Sequence, residues 1–130
     1  MKKHNAFTLI ELMVVILIVA VLAAAAVPLM RGRIDRSKWT EANAVAGSIR
    51  TSMKTYFMET GNTVTGSLND ASVQQALGVQ SGDLTGTYFV PSDYVIDNVS
   101  VDGVAVITAT GSQTNAPSGS KTLALNGTFE

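Results

Sequence analysis

Phe7-Thr8-Leu9-Ile10-Glu11-Leu12-Met13-Val14-Val15-Ile16, continued by an alanine-rich run as far as Pro28, decides how this chain is read. Residues 12–30 are 19 consecutive positions without a charge and almost without polarity. A helix of roughly 20 such residues crosses the hydrocarbon core of a bilayer. Glu11 sits at the start of that run, and an ionisable side chain inside a membrane segment calls for a function and a partner. Lys3 and Arg31 bracket a stretch whose only formal charge is Glu11. The partner is therefore expected from another chain, or from a group created by processing.

Three readings compete for the first 30 residues: a cleaved secretory signal, an ordinary anchor, or something specialised. Lys2 and Lys3 form a basic leader, and Ala24-Ala25-Ala26 offers a small-x-small cleavage site. Glu11 counts against a secretory signal, because a carboxylate costs about 2.5–3.5 kcal/mol at a helix centre and less near an end. An apolar stretch reaching Ala26 also exceeds the roughly 7–15 residues of a signal's hydrophobic region.

The residues quoted above closely resemble the N-terminal signal of type IV pilins and of the pseudopilins of type II secretion systems. The resemblance is specific over residues 6–28, looser to about Gly61, and architectural beyond that. It implies that a membrane prepilin peptidase removes residues 1–6 by cutting between Ala6 and Phe7, and that Phe7 is then N-methylated. It also implies a role for Glu11, at the fifth mature position, in setting assembly register. The new α-ammonium would lie four residues from Glu11, within reach across one helical turn or from a neighbouring subunit. The family normally carries Gly where this chain has Ala6, which is expected to slow cleavage without moving it. The resemblance places the head outside the cytoplasm. Positive-inside counting does not favour that orientation, since Lys2 and Lys3 face Arg31, Arg33, Arg36 and Lys38 across the span.

The net charge of −1 over 130 residues conceals an asymmetry. Residues 31–54 hold Arg31, Arg33, Arg36, Lys38, Arg50 and Lys54 against Asp35 and Glu41, whereas residues 55–130 hold seven acids against Lys121 alone. A basic stem carries an acidic head. Cations just past a membrane span meet lipid phosphates, and an acidic head gives no reason to expect nucleic acid as a partner.

Beyond Pro28, Trp39, Ala42, Ala46, Ile49, Met53, Tyr56 and Phe57 recur at spacings of three and four, the stripe of an amphipathic helix. Lys38, Glu41, Asn43, Ser48 and Arg50 fall on the opposite, polar face. One helix from Phe7 to Glu59 would be roughly 80 Å long, more than a small head can cover. Its first half is expected to stand in lipid or among sister helices. Pro28, with Gly32 close by, predicts a kink or soft point, and the resemblance implies partial unwinding there on assembly. Residues 68–77 read as a short helix capped by Asp70 and stopped by Gly78. Residues 87–90, 94–101, 104–110 and 121–125 read as strands, and Asp102-Gly103 as a two-residue hairpin turn. Residues 111–120 read as a polar loop, either a solvated connector or a recognition surface.

Several chemistries are excluded. Without cysteine there is no disulfide scaffold, iron–sulfur cluster or thiolate zinc site. The single histidine, His4, lies in the leader, so the usual catalytic base is missing and no enzymatic role is expected. No metal or other cofactor is expected. Asp93, Asp97 and Asp102 are the candidate oxygen ligands for Ca²⁺, although they match no EF-hand spacing and strand-end aspartates explain them more simply. The few aromatic residues have core spacing.

Together these readings predict an α+β pilin fold, with a long N-terminal helix packed on an antiparallel sheet of about four strands. The expected segments are a leader (1–6), a hydrophobic half-helix (7–30), and an amphipathic half-helix with its head (31–130). The expected function is a structural subunit that polymerises with itself into a helical filament through the apolar half-helices. Expected partners are other copies, the peptidase and N-methyltransferase, an inner-membrane assembly platform and the lipid bilayer. The precursor would be single-pass in the cytoplasmic membrane, and the product an extracellular pilus or a periplasmic pseudopilus. A major pseudopilin of type II secretion is the alternative, and a tethered binding domain that never polymerises is the rival of another class.

Overall fold

One helix, α1, spans Leu9–Thr60 and is sustained by its many Leu, Ala and Met residues in spite of Pro28. Gly61 ends it in the left-handed region (φ +70°), donating its N–H to the Phe57 carbonyl at 2.8 Å. The computed structural model describes residues 6–130, and the chain divides into two compact units, one ending at Ile34 and the other spanning Asp35–Glu130. Within the first, the described residues of α1 are exposed throughout. Pro28 lies inside the helix, which runs on through it without a break in assignment.

In the second unit α1 carries the predicted stripe. Trp39, Ala42, Ala46, Ile49 and Met53 are buried, and Tyr56 and Phe57 half-buried. Small residues at 42 and 46 let the sheet approach, while Ile49 and Met53 fill the core beside it. The sheet runs in the order β1 (Gly66–Ser67), β2 (Tyr94–Val99), β3 (Ala105–Thr110), β4 (Ser120–Leu123), antiparallel throughout. The expected α+β arrangement, a long helix and four antiparallel strands, is therefore what the chain adopts. Helix α2 (Ala71–Leu77) buries Val73 and Leu77 and stops at Gly78, which is left-handed at φ +65°. It begins three residues later than expected, and Asp70 holds the N-cap position without a side-chain hydrogen bond.

Three expectations are corrected. Residues 87–90 form no strand, because their backbone donors go elsewhere: the Glu41 carboxylate accepts the N–H groups of Thr87 (3.1 Å), Tyr88 (2.9 Å) and Phe89 (3.1 Å). Gly86 lies so close to that carboxylate that a Cβ there would collide with it. The β2–β3 turn has three residues, Val101-Asp102-Gly103, rather than two. Ser100 N–H donates to the Val104 carbonyl and Gly103 N–H to the Ser100 carbonyl, both at 2.9 Å, with Gly103 left-handed at φ +77°. Nor is Arg50 a solvated residue of the polar face. Its guanidinium donates from Nε to the Ala105 carbonyl (2.9 Å) and from Nη2 to those of Leu123 (2.7 Å) and Ala124 (2.6 Å), tying α1 to the ends of β3 and β4.

The 111–120 loop is anchored rather than loose. Gly111 N–H donates to the Gly119 carbonyl at 3.0 Å, Lys38 Nζ to the Asn115 carbonyl at 2.8 Å, and Ser112 Oγ to the Asp93 carboxylate, while Pro117 is buried. Past β4 the chain turns at Asn126-Gly127 and pairs back, with Thr122 and Glu130 exchanging N–H···O bonds of 2.7 and 3.1 Å. That turn, which the sequence reading missed although Asn-Gly is its signal, brings Phe129 to within 6.0 Å of Trp39, centroid to centroid.

Candidate functional site

Ala6 and Phe7 precede the helix, and Phe7 is 80% exposed, so the peptide bond proposed for cleavage lies outside regular structure. Met1 to Asn5, with the leader charges Lys2 and Lys3 and with His4, lie outside the described residues. Thr8 is the N-cap. Its N–H and its hydroxyl both donate to Glu11 Oε2 at 2.8 Å, and Glu11 N–H donates back to Thr8 Oγ1 at 3.3 Å. This is a capping box, in which two orphan donors of the first turn are satisfied reciprocally. Glu11 thus has hydrogen-bond donors within its own first turn, though no cation among the described residues. Thr8-x-x-Glu11 is the local sequence signal for this cap.

From Ala6 through Ser37 every residue is exposed, including Leu9, Ile10, Leu12 to Val19, Val21, Leu22, Val27, Leu29, Met30 and Ile34. A helix apolar all round has no hydrophilic face to give to water, so lipid or other apolar helices must cover it. Pro28 and Gly32 fall in this exposed stretch, and a Cβ added at Gly32 would meet nothing within 4 Å.

The three candidate ligand aspartates, Asp93, Asp97 and Asp102, are not brought together as a group. Asp93 is buried, with Oδ2 accepting the Val90 N–H at 2.9 Å and Oδ1 accepting the Ser112 hydroxyl. Asp97 marks a bulge in β2 and accepts the Thr108 hydroxyl, while Asp102 is exposed in the hairpin loop. Among the described residues no three His, Asp or Glu side chains could hold a metal ion.

The aromatic residues pack as a core chain, Trp39 to Phe89 at 5.3 Å and Phe89 to Tyr94 at 6.1 Å. Tyr94 is fully buried, and its hydroxyl has no hydrogen-bond partner among the described residues. Desolvation first, then the nearby Glu41 and Asp93 charges, push its ionisation well above the usual tyrosine range. Below pH ~10 this group is neutral in both states and costs nothing electrostatically; above it the unfolded chain ionises first, so stability falls as pH rises. Tyr94→Phe is expected to remove that alkaline slope. It should also raise Tm by a few degrees at pH 7, since an unpaired buried hydroxyl costs about 1–3 kcal/mol. Thermal melts at pH 7 and pH 11 check both effects; a lower Tm at pH 7 would mean that the hydroxyl is hydrogen-bonded in solution.

Residues 1–27 match the family described as the prokaryotic N-terminal methylation motif. Over 129 residues the chain is 36% identical to the fimbrial protein EcpC of Eikenella corrodens, an alignment that covers 98% of this chain and 76% of the relative. A fimbrial protein of Pseudomonas aeruginosa is 30% identical over 110 residues, 85% of this chain and 70% of that protein. One from Moraxella nonliquefaciens is 44% identical over 55 residues, covering 42% and 36%. An alignment that extends over the head as well as the apolar helix, on a long helix backed by a four-stranded antiparallel sheet, leaves one conclusion: the chain belongs to the type IV pilin family.

Proposed function

We propose that this chain is the structural subunit of a type IV pilus-like filament, made as a single-pass membrane precursor and polymerised through its N-terminal half-helix. The observation that carries this is that the apolar part of α1, residues 9–30, is exposed throughout, while the head completes its core without it. In the membrane, lipid covers that helix. In the filament, sister helices do, and a heterologous contact repeated without closure makes a fibre. Pro28 removes the N–H that would bond Ala24, and Gly32 adds backbone freedom, so the helix is softest where a subunit must bend to leave the bilayer. The fimbrial names of the relatives favour a pilus over a secretion pseudopilus. The role is structural and calls for no cofactor.

Processing supplies the missing cation. Cleavage between Ala6 and Phe7 creates an α-ammonium on the residue next to Thr8, whose N–H already holds Glu11 Oε2. Methylation keeps its charge. The amine then lies beside the carboxylate of its own chain or is offered to that of a neighbour. Membrane-extracted protein is expected to contain 124 of the 130 residues and to begin with N-methyl-Phe7. Intact mass and terminal sequencing test this, and a mature chain beginning at Val27 would mean an ordinary secretory signal and would end the filament reading.

A further inference from the structure

The last turns of α1 and α2 meet at a cavity of about 260 Å³ lined by Thr51, Ser52, Tyr56, Glu59, Gln75 and Gly78 among others. Helix C-termini gather unsatisfied carbonyls and partial negative charge, which a basic residue in the last turn ordinarily offsets. Neither helix has one. Glu59, in the last turn of α1, adds a full negative charge, is exposed, and its side chain makes no ion pair or hydrogen bond among the described residues. Tyr56 lends a half-buried ring to the same wall. A carboxylate and an aromatic face in one cleft, at the negative ends of two helices, suit a planar guanidinium, which can donate to the first while stacking on the second. The volume holds such a group with several waters, at roughly 30 Å³ each.

The second unit does not supply that group to itself: Lys54, the lysine nearest in sequence, does not line the cavity. Arg31 and Arg33, at the end of the apolar run, are exposed, and their side chains make no hydrogen bond or ion pair among the described residues. Residues 31–54 carry the chain's surplus of cations and residues 55–130 its surplus of acids, so heads of like copies repel one another and attract the basic collar.

We propose that the cleft between the ends of α1 and α2 is a socket for a guanidinium from the Arg31–Arg33 collar of a second copy of this chain. The proposal rests on the filament reading and adds a polar, register-setting contact to its apolar packing. It is tested in the full-length chain expressed in cells that assemble it. Glu59→Arg, and separately Arg31→Glu with Arg33→Glu, should each lower the yield of sheared filaments about tenfold or more, and the triple variant should restore it. All three side chains are exposed, so the Tm of the head should not change. Wild-type yield from Glu59→Arg, or failure of the triple variant to recover, would overturn the socket. Loss confined to the arginine variant would assign those cations to lipid phosphates instead. No filaments from the wild-type chain would overturn the filament reading itself. Because the chain has no cysteine, mixed filaments of Gln75→Cys and Arg33→Cys copies give an independent readout: oxidation should yield disulfide-linked dimers, and intact filaments without them would also refute the contact.

Discussion

Glu11→Val is expected to abolish ordered filaments while leaving the amount of membrane-inserted precursor unchanged or raised. Insertion should gain because a carboxylate near the start of an apolar helix is costly, up to about 2.5–3.5 kcal/mol at a central position. The capping box offsets part of that gain, since losing it costs about 0.5–2 kcal/mol of helix stability at the first turn. What valine cannot replace is charge. Once sister helices or lipid surround Phe7, an ammonium there with no carboxylate to meet is a buried unpaired ion, and leaving one costs more than the pair gains. Apolar helices would still associate, but with nothing to fix how far one slides along the next.

A second variant separates the two roles of this side chain. Gln at this position preserves the capping-box pattern and removes the charge. Glu11→Gln should therefore fail to assemble much as Glu11→Val does. Electron microscopy of sheared fibres beside membrane-fraction blots reads both variants. Normal filaments from Glu11→Val would remove the register role altogether, and normal filaments from Glu11→Gln alone would reduce Glu11 to a helix cap.

The largest effect expected on the head comes from Arg50→Met. The methionine keeps much of the apolar stem but drops three hydrogen bonds, and the carbonyls of Ala105, Leu123 and Ala124 lose a charged donor. Desolvation lowers the guanidinium pKa, the mark of a cation drawn partly out of water, yet arginine stays charged in proteins. Hydrogen bonds to charged groups are worth about 1.5–3 kcal/mol each, and water can reach a half-buried site, so a net loss of about 2–4 kcal/mol is expected. That corresponds to a Tm lower by roughly 10 °C or more for a head of this size. Arg50→Lys should recover only part of it, since an ammonium lacks the fork that spans three carbonyls. Circular-dichroism melts of the full chain in detergent, with exposed Lys54→Met as control, measure the difference. An Arg50→Met melt equal to the control would show that the ends of β3 and β4 hold together without this clamp.

Much of this protein was legible without coordinates. The 19-residue apolar run, the carboxylate at its edge, the 3–4 stripe from Trp39 to Phe57, the stop at Gly61 and the Gly78 cap are local patterns, each set by neighbours within a turn or two of helix. Three of the four strands expected were placed to within two residues, because alternation and turn residues are also local signals. What only tertiary structure decided is where polar groups at long sequence separation spend their hydrogen bonds. Glu41 consumes the amides of Thr87, Tyr88 and Phe89 and so prevents the strand their β-branched and aromatic composition favours. Arg50 turns inward to carbonyls more than fifty residues away, and Asp93 closes on the hydroxyl of Ser112. Hydrophobic periodicity reports which face of an element is buried. It carries no record of which distant backbone group a charged side chain will satisfy, since that depends on three-dimensional proximity created by the packed core itself.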